Sequence, residues 1–238
     1  RRQRQMCIRD RAQDAELSEA GAAALVEEHR VLYERARRLM TSPKLKSFKL
    51  VGEPVARQQA YGKNRFGQGL LVARRLVEAG VRVVTLAYGR WDWHGRPHGT
   101  NFENARDHLP MLDQGVTALL EDLQQRGMDQ DVSVLVWGEF GRTPRLTHRA
   151  TFPGKPGGPW LGRDHWPNAF SALIAGGGLR MGQVVGQTNS RSEYPTHDPV
   201  TPQDLLATIY RHLGLRSTAT VPDFNGRPVP LLSEGRPI

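Results

Sequence analysis

Two apolar, β-branched runs, Val81-Arg82-Val83-Val84-Thr85-Leu86-Ala87 and Val132-Ser133-Val134-Leu135-Val136-Trp137, flank a stretch in which apolar residues recur at helical spacing. The first run is bounded by Gly80 and Gly89, and its continuous apolar character predicts a strand covered on both faces. Between the runs Leu109, Leu112, Val116, Leu119, Leu120 and Leu123 define one helix face, and Gly127 is placed to stop the helix. Strand, helix and strand in this order predict a right-handed crossover between parallel strands, whose ends share one sheet edge. The segments leaving the two strands are then carried to the same place.

Both of those segments are polar. Trp91-Asp92-Trp93-His94 comes after the first run and Gly138-Glu139-Phe140-Gly141-Arg142-Thr143-Pro144 after the second, so Asp92 and Glu139 are predicted to be neighbours. A third cluster, Gly162-Arg163-Asp164-His165-Trp166-Pro167, precedes the apolar run Ala169-Phe170-Ser171-Ala172-Leu173-Ile174-Ala175. Residues 138–167 are rich in Gly, Pro, Arg and Thr and lack helical periodicity, which predicts a long loop over the same edge. With no crossover helix to carry the chain back, the strand after it is predicted to run antiparallel.

Elsewhere the pattern gives a long amphipathic helix over residues 18–40, ended by Ser42-Pro43, and a helix through Leu70, Leu71, Ala73, Leu76 and Val77, ended by Gly80. Thr201-Pro202-Gln203-Asp204 is a capped helix start, followed by an apolar face of Leu205, Leu206, Ile209 and Leu213 and a stop at Gly214. The Pro- and Gly-rich tail over residues 222–238 predicts turns and a small hairpin. The fold expected is α/β: a mostly parallel sheet flanked by helices, with one antiparallel strand. Few parallel strands are visible, so residues 12–238 are expected to form the C-terminal part of one larger domain.

Composition changes this picture little. The formal charge of +9 invites a nucleic-acid reading, but Arg1, Arg2, Arg4, Arg9 and Arg11 against Asp10 supply four of it. Residues 1–11 resemble translated sequencing-adapter read-through and are set aside from the fold reasoning. The remaining charge is spread along the chain without an aromatic-interleaved basic stripe, which excludes a nucleic-acid partner from the expectation. No run is long and apolar enough for a membrane span. Cys7, the single cysteine, lies in the segment set aside, so disulfide, thiolate and cysteine-metal chemistry drop out.

Carboxylates and imidazoles gathered at a sheet edge are the ligand set of a hard or borderline divalent cation, here zinc, calcium or magnesium. Asp92, His94, Glu139, Asp164 and His165 are the candidate ligands, with His98 in reserve. A cation so held would lower the pKa of a bound hydroxyl and neutralise a phosphoryl or sulfuryl oxygen. Arg142 and Arg163 flank the acids and could clamp an anion through their planar forks. Each residue also has a plainer reading. Asp92-X-His94 could be a hydrogen-bonded turn, Glu139 an ion pair with Arg142, Asp164 a brace for Arg163, and His165 a packed imidazole. Trp91, Trp93, Trp160 and Trp166 read as walls packed under the loops. Convergence of three clusters on one edge is what favours the metal.

These residues also carry a resemblance. Tyr61-Gly62, Ala73-Arg74-Arg75-Leu76-Val77-Glu78-Ala79-Gly80-Val81, Trp91-Asp92-X-His94, Leu112-Asp113-Gln114, Gly138 to Pro144, Gly162 to Trp166 and Pro199 to Tyr210 resemble, in order, the domain-of-unknown-function family 1501. That family is similar in turn to the alkaline phosphatase and sulfatase superfamily. The resemblance implies a partial alkaline-phosphatase-like sandwich, in which Asp92 and His94 resemble metal ligands after a core strand and His165 resembles a late metal histidine. Glu139-Phe140 stands where superfamily enzymes carry Asp-His, and the Asp92-to-His94 spacing is shorter than in their motif. The superfamily's hydroxyl or modified-cysteine nucleophile lies in an N-terminal half upstream of these motifs, so no catalytic nucleophile is expected in this chain. It is expected to be inactive alone. The implied intact protein is an exported or periplasmic hydrolase of small anionic phosphate or sulfate esters, or of sulfated or phosphorylated glycans. The alternative is a non-catalytic exported protein with a degenerate pocket for an anionic glycan or partner.

Overall fold

The computed structural model describes residues 14–15, 18–89, 91–94, 100–149 and 160–238; Cys7, His98 and the segment set aside at the start lie outside them. The chain divides into two compact units, residues 1–53 with 75–84 and residues 54–74 with 85–238.

In the first unit a kinked lead-in, Ser18–Ala22, passes into helix α1, Ala23–Met40, within the span predicted. Its surface is braced by intrahelical pairs, Glu27 with Arg30 and Glu34 with Arg37 and Arg38. Ser42 caps a 3₁₀ turn over Pro43–Phe48. The Arg75 side chain reaches back to Glu53 and to the Ser47 carbonyl.

The second unit is organised by three helices, α2 (Val55–Ala60), α3 (Arg65–Glu78) and α4 (Asn101–Gln125). Only the last part of α3 is assigned to the first unit. Of the apolar face its period predicts for α4, Val116, Leu119 and Leu123 are buried, whereas Leu109 near its start is exposed. Gly115 sits where a Cβ would meet Leu70 Cδ1 at 2.9 Å and Phe66 Cε1 at 3.2 Å, so its lack of a side chain lets α4 approach α3. Asp122, fully buried, ties the three helices together. Its Oδ2 accepts from the Tyr61 hydroxyl at 2.9 Å and lies 3.0 Å from Arg74 Nε, while Oδ1 accepts from Arg126 Nε at 2.8 Å and lies 3.2 Å from Arg57 Nη1. Burial pushes this carboxyl up, but the Arg126 and Tyr61 hydrogen bonds and the arginine charges outweigh it and hold it below the usual aspartate range.

Strands are short and paired two by two. Strand β1 (Ser133–Val136) is followed by β2 (Gly141–Arg142), β3 (Thr147–Arg149), β4 (Trp160–Gly162), β5 (His165–Trp166) and β6 (Leu173–Gly176). Next come β7 (Gln187–Thr188), β8 (Pro195–His197), helix α5 (Pro202–His212) and the tail hairpin β9 (Thr220–Pro222) with β10 (Pro228–Pro230). β1 pairs with β6, β2 with β5, β3 with β4 and β7 with β8, all antiparallel. The fold is therefore α/β, and the strand after the long loop runs antiparallel as expected. The mostly parallel sheet is not formed among the described residues. The run from Val81 to Ala87 joins no ladder, and Val83 is 69% exposed. The physical reason is that a strand exists through its partner: β1 pairs with β6 on one edge, and no strand among the described residues offers the earlier run a ladder.

The described residues 138–149 and 160–167 are also less irregular than their composition predicts. β2–β5 and β3–β4 nest into a narrow arm that doubles back on itself. Two- and three-residue ladders carry no readable period, which is why the arm reads as a plain loop in the sequence. α5 begins as predicted: Thr201 Oγ1 accepts from Asp204 N and the Asp204 carboxylate accepts from Thr201 N.

Candidate metal centre

The stretch from Trp91 to His94 shows how one face is packed and the other freed. Successive side chains of an extended segment point opposite ways. Trp91 and Trp93 turn into an aromatic cluster, with ring centroids 4.9 Å apart, Tyr88 5.6 Å from Trp91 and His108 stacked 5.1 Å from Trp93. Trp91 Nε1 donates to the Tyr88 carbonyl, and Trp93 is buried. Asp92 and His94 are left on the opposite side, facing the β-arm.

The arm delivers the other half. In the β2–β5 register Arg142 lies opposite His165, and the Phe140 ring sits 4.2 Å from the His165 ring. Asp164 is held at its backbone by a reciprocal pair: its N–H donates to Thr143 Oγ1 at 3.0 Å, and the Thr143 N–H donates to the Asp164 carbonyl at 2.9 Å. Arg163 Nη1 donates to the carbonyls of Thr143 and Pro144. Asn101, in the first turn of α4, then clasps the two halves. Its Nδ2 donates to the Trp93 carbonyl, and its Oδ1 accepts from Arg163 N at 2.9 Å.

Three atoms meet at the junction. Asp92 Oδ1 lies 2.7 Å from His94 Nε2 and 2.8 Å from His165 Nε2, and the two imidazole nitrogens are 3.1 Å apart. Hydrogen bonding from His165 and His94 holds the Asp92 carboxyl down at about 2. Behind the junction, His94 Nδ1 is 3.1 Å from Asp164 Oδ1, and Asp164 Oδ2 accepts from the Thr147 hydroxyl at 3.0 Å. Beside it, Arg142 Nη1 is 3.4 Å from His94 Nε2, Nη2 is 3.5 Å from Asp92 Oδ1, and the same guanidinium donates to the Trp91 carbonyl.

Of the five ligands predicted, then, the structure brings Asp92, His94 and His165 together. Asp164 stands behind His94 and gives no oxygen to the trio. Glu139, exposed after β1, is outside it; its predicted place beside Asp92 requires the parallel pair that is not formed. Arg142 faces the trio, whereas Arg163 Nη1 is spent on carbonyls of the arm. Asn101, Thr143 and Thr147 fall outside the predicted set. Asn101 comes after Thr100 in a Thr-X-X-Glu capping box, a readable helix start that the hydrophobic period alone passes over.

The donor set fits a borderline divalent ion. Two imidazole nitrogens and one carboxylate oxygen match zinc and related first-row metals better than calcium or magnesium, which want more oxygens. A tetrahedral ion with bonds of 2.0–2.1 Å sets its ligand atoms about 3.3 Å apart, a few tenths of an ångström beyond the edges seen. Three protein ligands are the complement of an open site rather than a closed structural one.

The model of the family described as protein of unknown function (DUF1501) matches residues 1–238. The chain belongs to that family. No curated protein and no solved structure matches it. Among the described residues of this DUF1501 chain no helix is long and apolar enough to cross a membrane.

Proposed function

We propose that this DUF1501 chain carries the metal-holding part of a phosphatase- or sulfatase-like hydrolase. The observation that carries the reading is the meeting of Asp92 Oδ1, His94 Nε2 and His165 Nε2 within hydrogen-bond distance of one another. Three atoms rich in lone pairs, drawn from two separate segments, repel one another unless protons or a cation lie between them. Bound there, a divalent ion would supply Lewis-acid charge for a phosphoryl or sulfuryl oxygen and lower the pKa of a hydroxyl or water nucleophile. Arg142 would bind the anionic group: a guanidinium beside a cation site is repelled until a bridging anion neutralises both. The Trp91–Trp93 packing orients Asp92 and His94, and the Asn101 clasp sets their distance from His165. The nucleophile is assigned to no residue of this chain. Kinship with the alkaline phosphatase and sulfatase superfamily, export to the periplasm or beyond, and small anionic esters or phosphorylated and sulfated glycans as substrates belong to the same proposal.

The test is elemental analysis of the protein purified without chelators, with turnover of aryl phosphate and aryl sulfate measured alongside. Near-stoichiometric zinc or a related ion, lost in Asp92→Ala and His165→Ala, is expected. Wild-type protein that stays metal-free after incubation with zinc, manganese and cobalt would refute the reading. One observation favours a second reading, a binding protein without turnover: Phe140, not an imidazole, packs on His165, and Glu139 stays outside the trio. Retained affinity for inorganic phosphate or sulfate with neither metal nor turnover would select it.

A further inference from the structure

We infer that the cleft between the glycine turn after β6 and the last turns of α5 binds a tetrahedral oxyanion, phosphate or sulfate. This cleft is separate from the metal centre. In the β1–β6 register Ser133 faces Gly176 at one end of the ladder, whereas the segments that lead to Arg142 and away from His165 join the other end, at Val136 and Leu173. The inference therefore stands independently of the function proposed above.

The cleft has a volume of about 350 Å³, within the range of about 300–1,000 Å³ usual for small-ligand sites. The turn contributes Gly177, Gly178 and Arg180 to its lining, and α5 contributes Thr208, Arg211 and His212. Arg180 Nε and Nη2 both reach Gln183 Oε1, at 3.3 and 2.8 Å, so a neutral amide orients the guanidinium and leaves its charge uncancelled. Among the described residues no carboxylate forms an ion pair with Arg180, Arg211 or His212. The acid of the adjoining loop, Asp129, accepts instead from Gln130 Nε2 at 2.9 Å. Arg211 and His212 lie in the last turn of α5, where positive charge answers the helix dipole. That accounts for two residues of one helix but not for Arg180, which comes from a different element. Two guanidiniums lining one cleft without an acid repel each other until an anion joins them.

The turn itself supplies further donors. The Gly177 N–H is taken by the Asp129 carbonyl at 2.7 Å and the Leu179 N–H by the Gly176 carbonyl at 3.2 Å, which leaves the Gly178 N–H without a partner among the described residues. Gly177 has φ +63°, and a Cβ there would stand 2.2 Å from Ser133 Oγ and 2.6 Å from His212 Cε1. Only glycine lets the turn settle between the two. Ser133 Oγ is buried and has no hydrogen-bond partner, a second unmet polar group beside the cleft. The donors converge from two elements, and this selects the ligand. A planar carboxylate fills one guanidinium fork with its two oxygens, whereas a tetrahedral phosphate or sulfate has oxygens left for the second fork and for the N–H.

The experiment uses the full chain, ¹⁵N-labelled, stripped of metal and dialysed into a chloride buffer, and titrates it with inorganic phosphate, sulfate and acetate. Phosphate and sulfate should give saturable shifts of the Gly177 and Gly178 amides, with acetate clearly weaker. Arg180→Gln and Arg211→Gln should each weaken phosphate binding roughly tenfold or more. Both arginines are exposed, so thermal unfolding of these variants should match wild type. Arg216→Gln removes the same charge from an exposed position outside the cleft and should leave binding unchanged. Acetate binding as tight as phosphate, or an equal loss in Arg216→Gln, overturns the inference in favour of general charge attraction. Shifts that cluster around Arg142 and spare Gly177 and Gly178 overturn it as well. Zinc affinity of the Arg180→Gln, Arg211→Gln double variant should equal wild type, so failure of the metal reading and failure of this one are seen separately.

Discussion

Asn101→Ala removes a side chain that grips both segments meeting at the trio. The amide makes two hydrogen bonds, to the Trp93 carbonyl between Asp92 and His94 and from the Arg163 N–H next to Asp164. Each contributes about 1 kcal/mol net, and both partners lie in half-buried surroundings where an unmet group costs about 1–3 kcal/mol. Loss of both should therefore destabilise the second unit by about 2–3 kcal/mol, read as a lower urea midpoint at unchanged slope. The site should suffer separately. With the clasp gone, zinc must itself order the segment from Trp91 to His94 against β5. If that ordering costs about 1.4 kcal/mol, zinc affinity drops about tenfold. Gln114→Ala, which removes a 3.3 Å bond from the same helix to the Gln59 carbonyl, controls for general loosening of α4. It should leave zinc affinity as it was. Equal zinc affinity in Asn101→Ala and wild type, at a measured loss of stability, would show that the clasp supports the fold but does not set the ligand spacing.

The same contacts predict other outcomes. Asp122→Asn strips the charge from a fully buried carboxylate facing Arg74, Arg126 and Arg57 and should cost about 3–5 kcal/mol in urea unfolding. Because the folded Asp122 carboxyl is depressed, its stabilisation is complete above the ordinary aspartate value of about 3.9 and is lost as pH falls through the folded value. The wild-type acid-unfolding limb should thus be steeper than that of Asp122→Asn, and parallel limbs would count against the knot. Thr201→Ala removes the side-chain cap of α5 and should lower stability by about 1 kcal/mol, checked by thermal unfolding followed by circular dichroism. Zinc at a hundred times its Kd should add about 2.7 kcal/mol to wild-type stability, with a melting temperature that rises with zinc concentration and falls back on adding EDTA. His165→Ala should show no such dependence.

How far the sequence announces this arrangement differs from element to element. Helix α4 is legible because burial of Val116, Leu119 and Leu123 repeats at its period, and α5 because Thr201, Pro202 and Asp204 are a local cap that needs no distant partner. In Trp91-Asp92-Trp93-His94 the alternation already separates the packed side chains from the polar ones, and the structure uses both faces. Strand partnership is another matter. Residues from Val81 to Ala87 have the composition of a buried strand, yet composition cannot say which backbone supplies the ladder, and none among the described residues does.

The site forms without the parallel pair because its halves are joined by other means. Parallel strands would set Glu139 next to Asp92, and Glu139 is the residue that does not arrive. His165 does arrive, carried by an antiparallel pair only two residues long and registered against Asp92 and His94 by the Asn101 amide. Both devices are polar, short and distant in sequence, and so leave no period to read. The Asp164-His165 dipeptide shows the same limit at the scale of one bond. Its sequence offers two equivalent ligands, whereas its backbone, pinned by Thr143, sends the imidazole to Asp92 and the carboxylate to the far nitrogen of His94. The two neighbouring side chains are thus distinguished by which nitrogen of one ring each faces, a difference set by the β-arm and not by residue type.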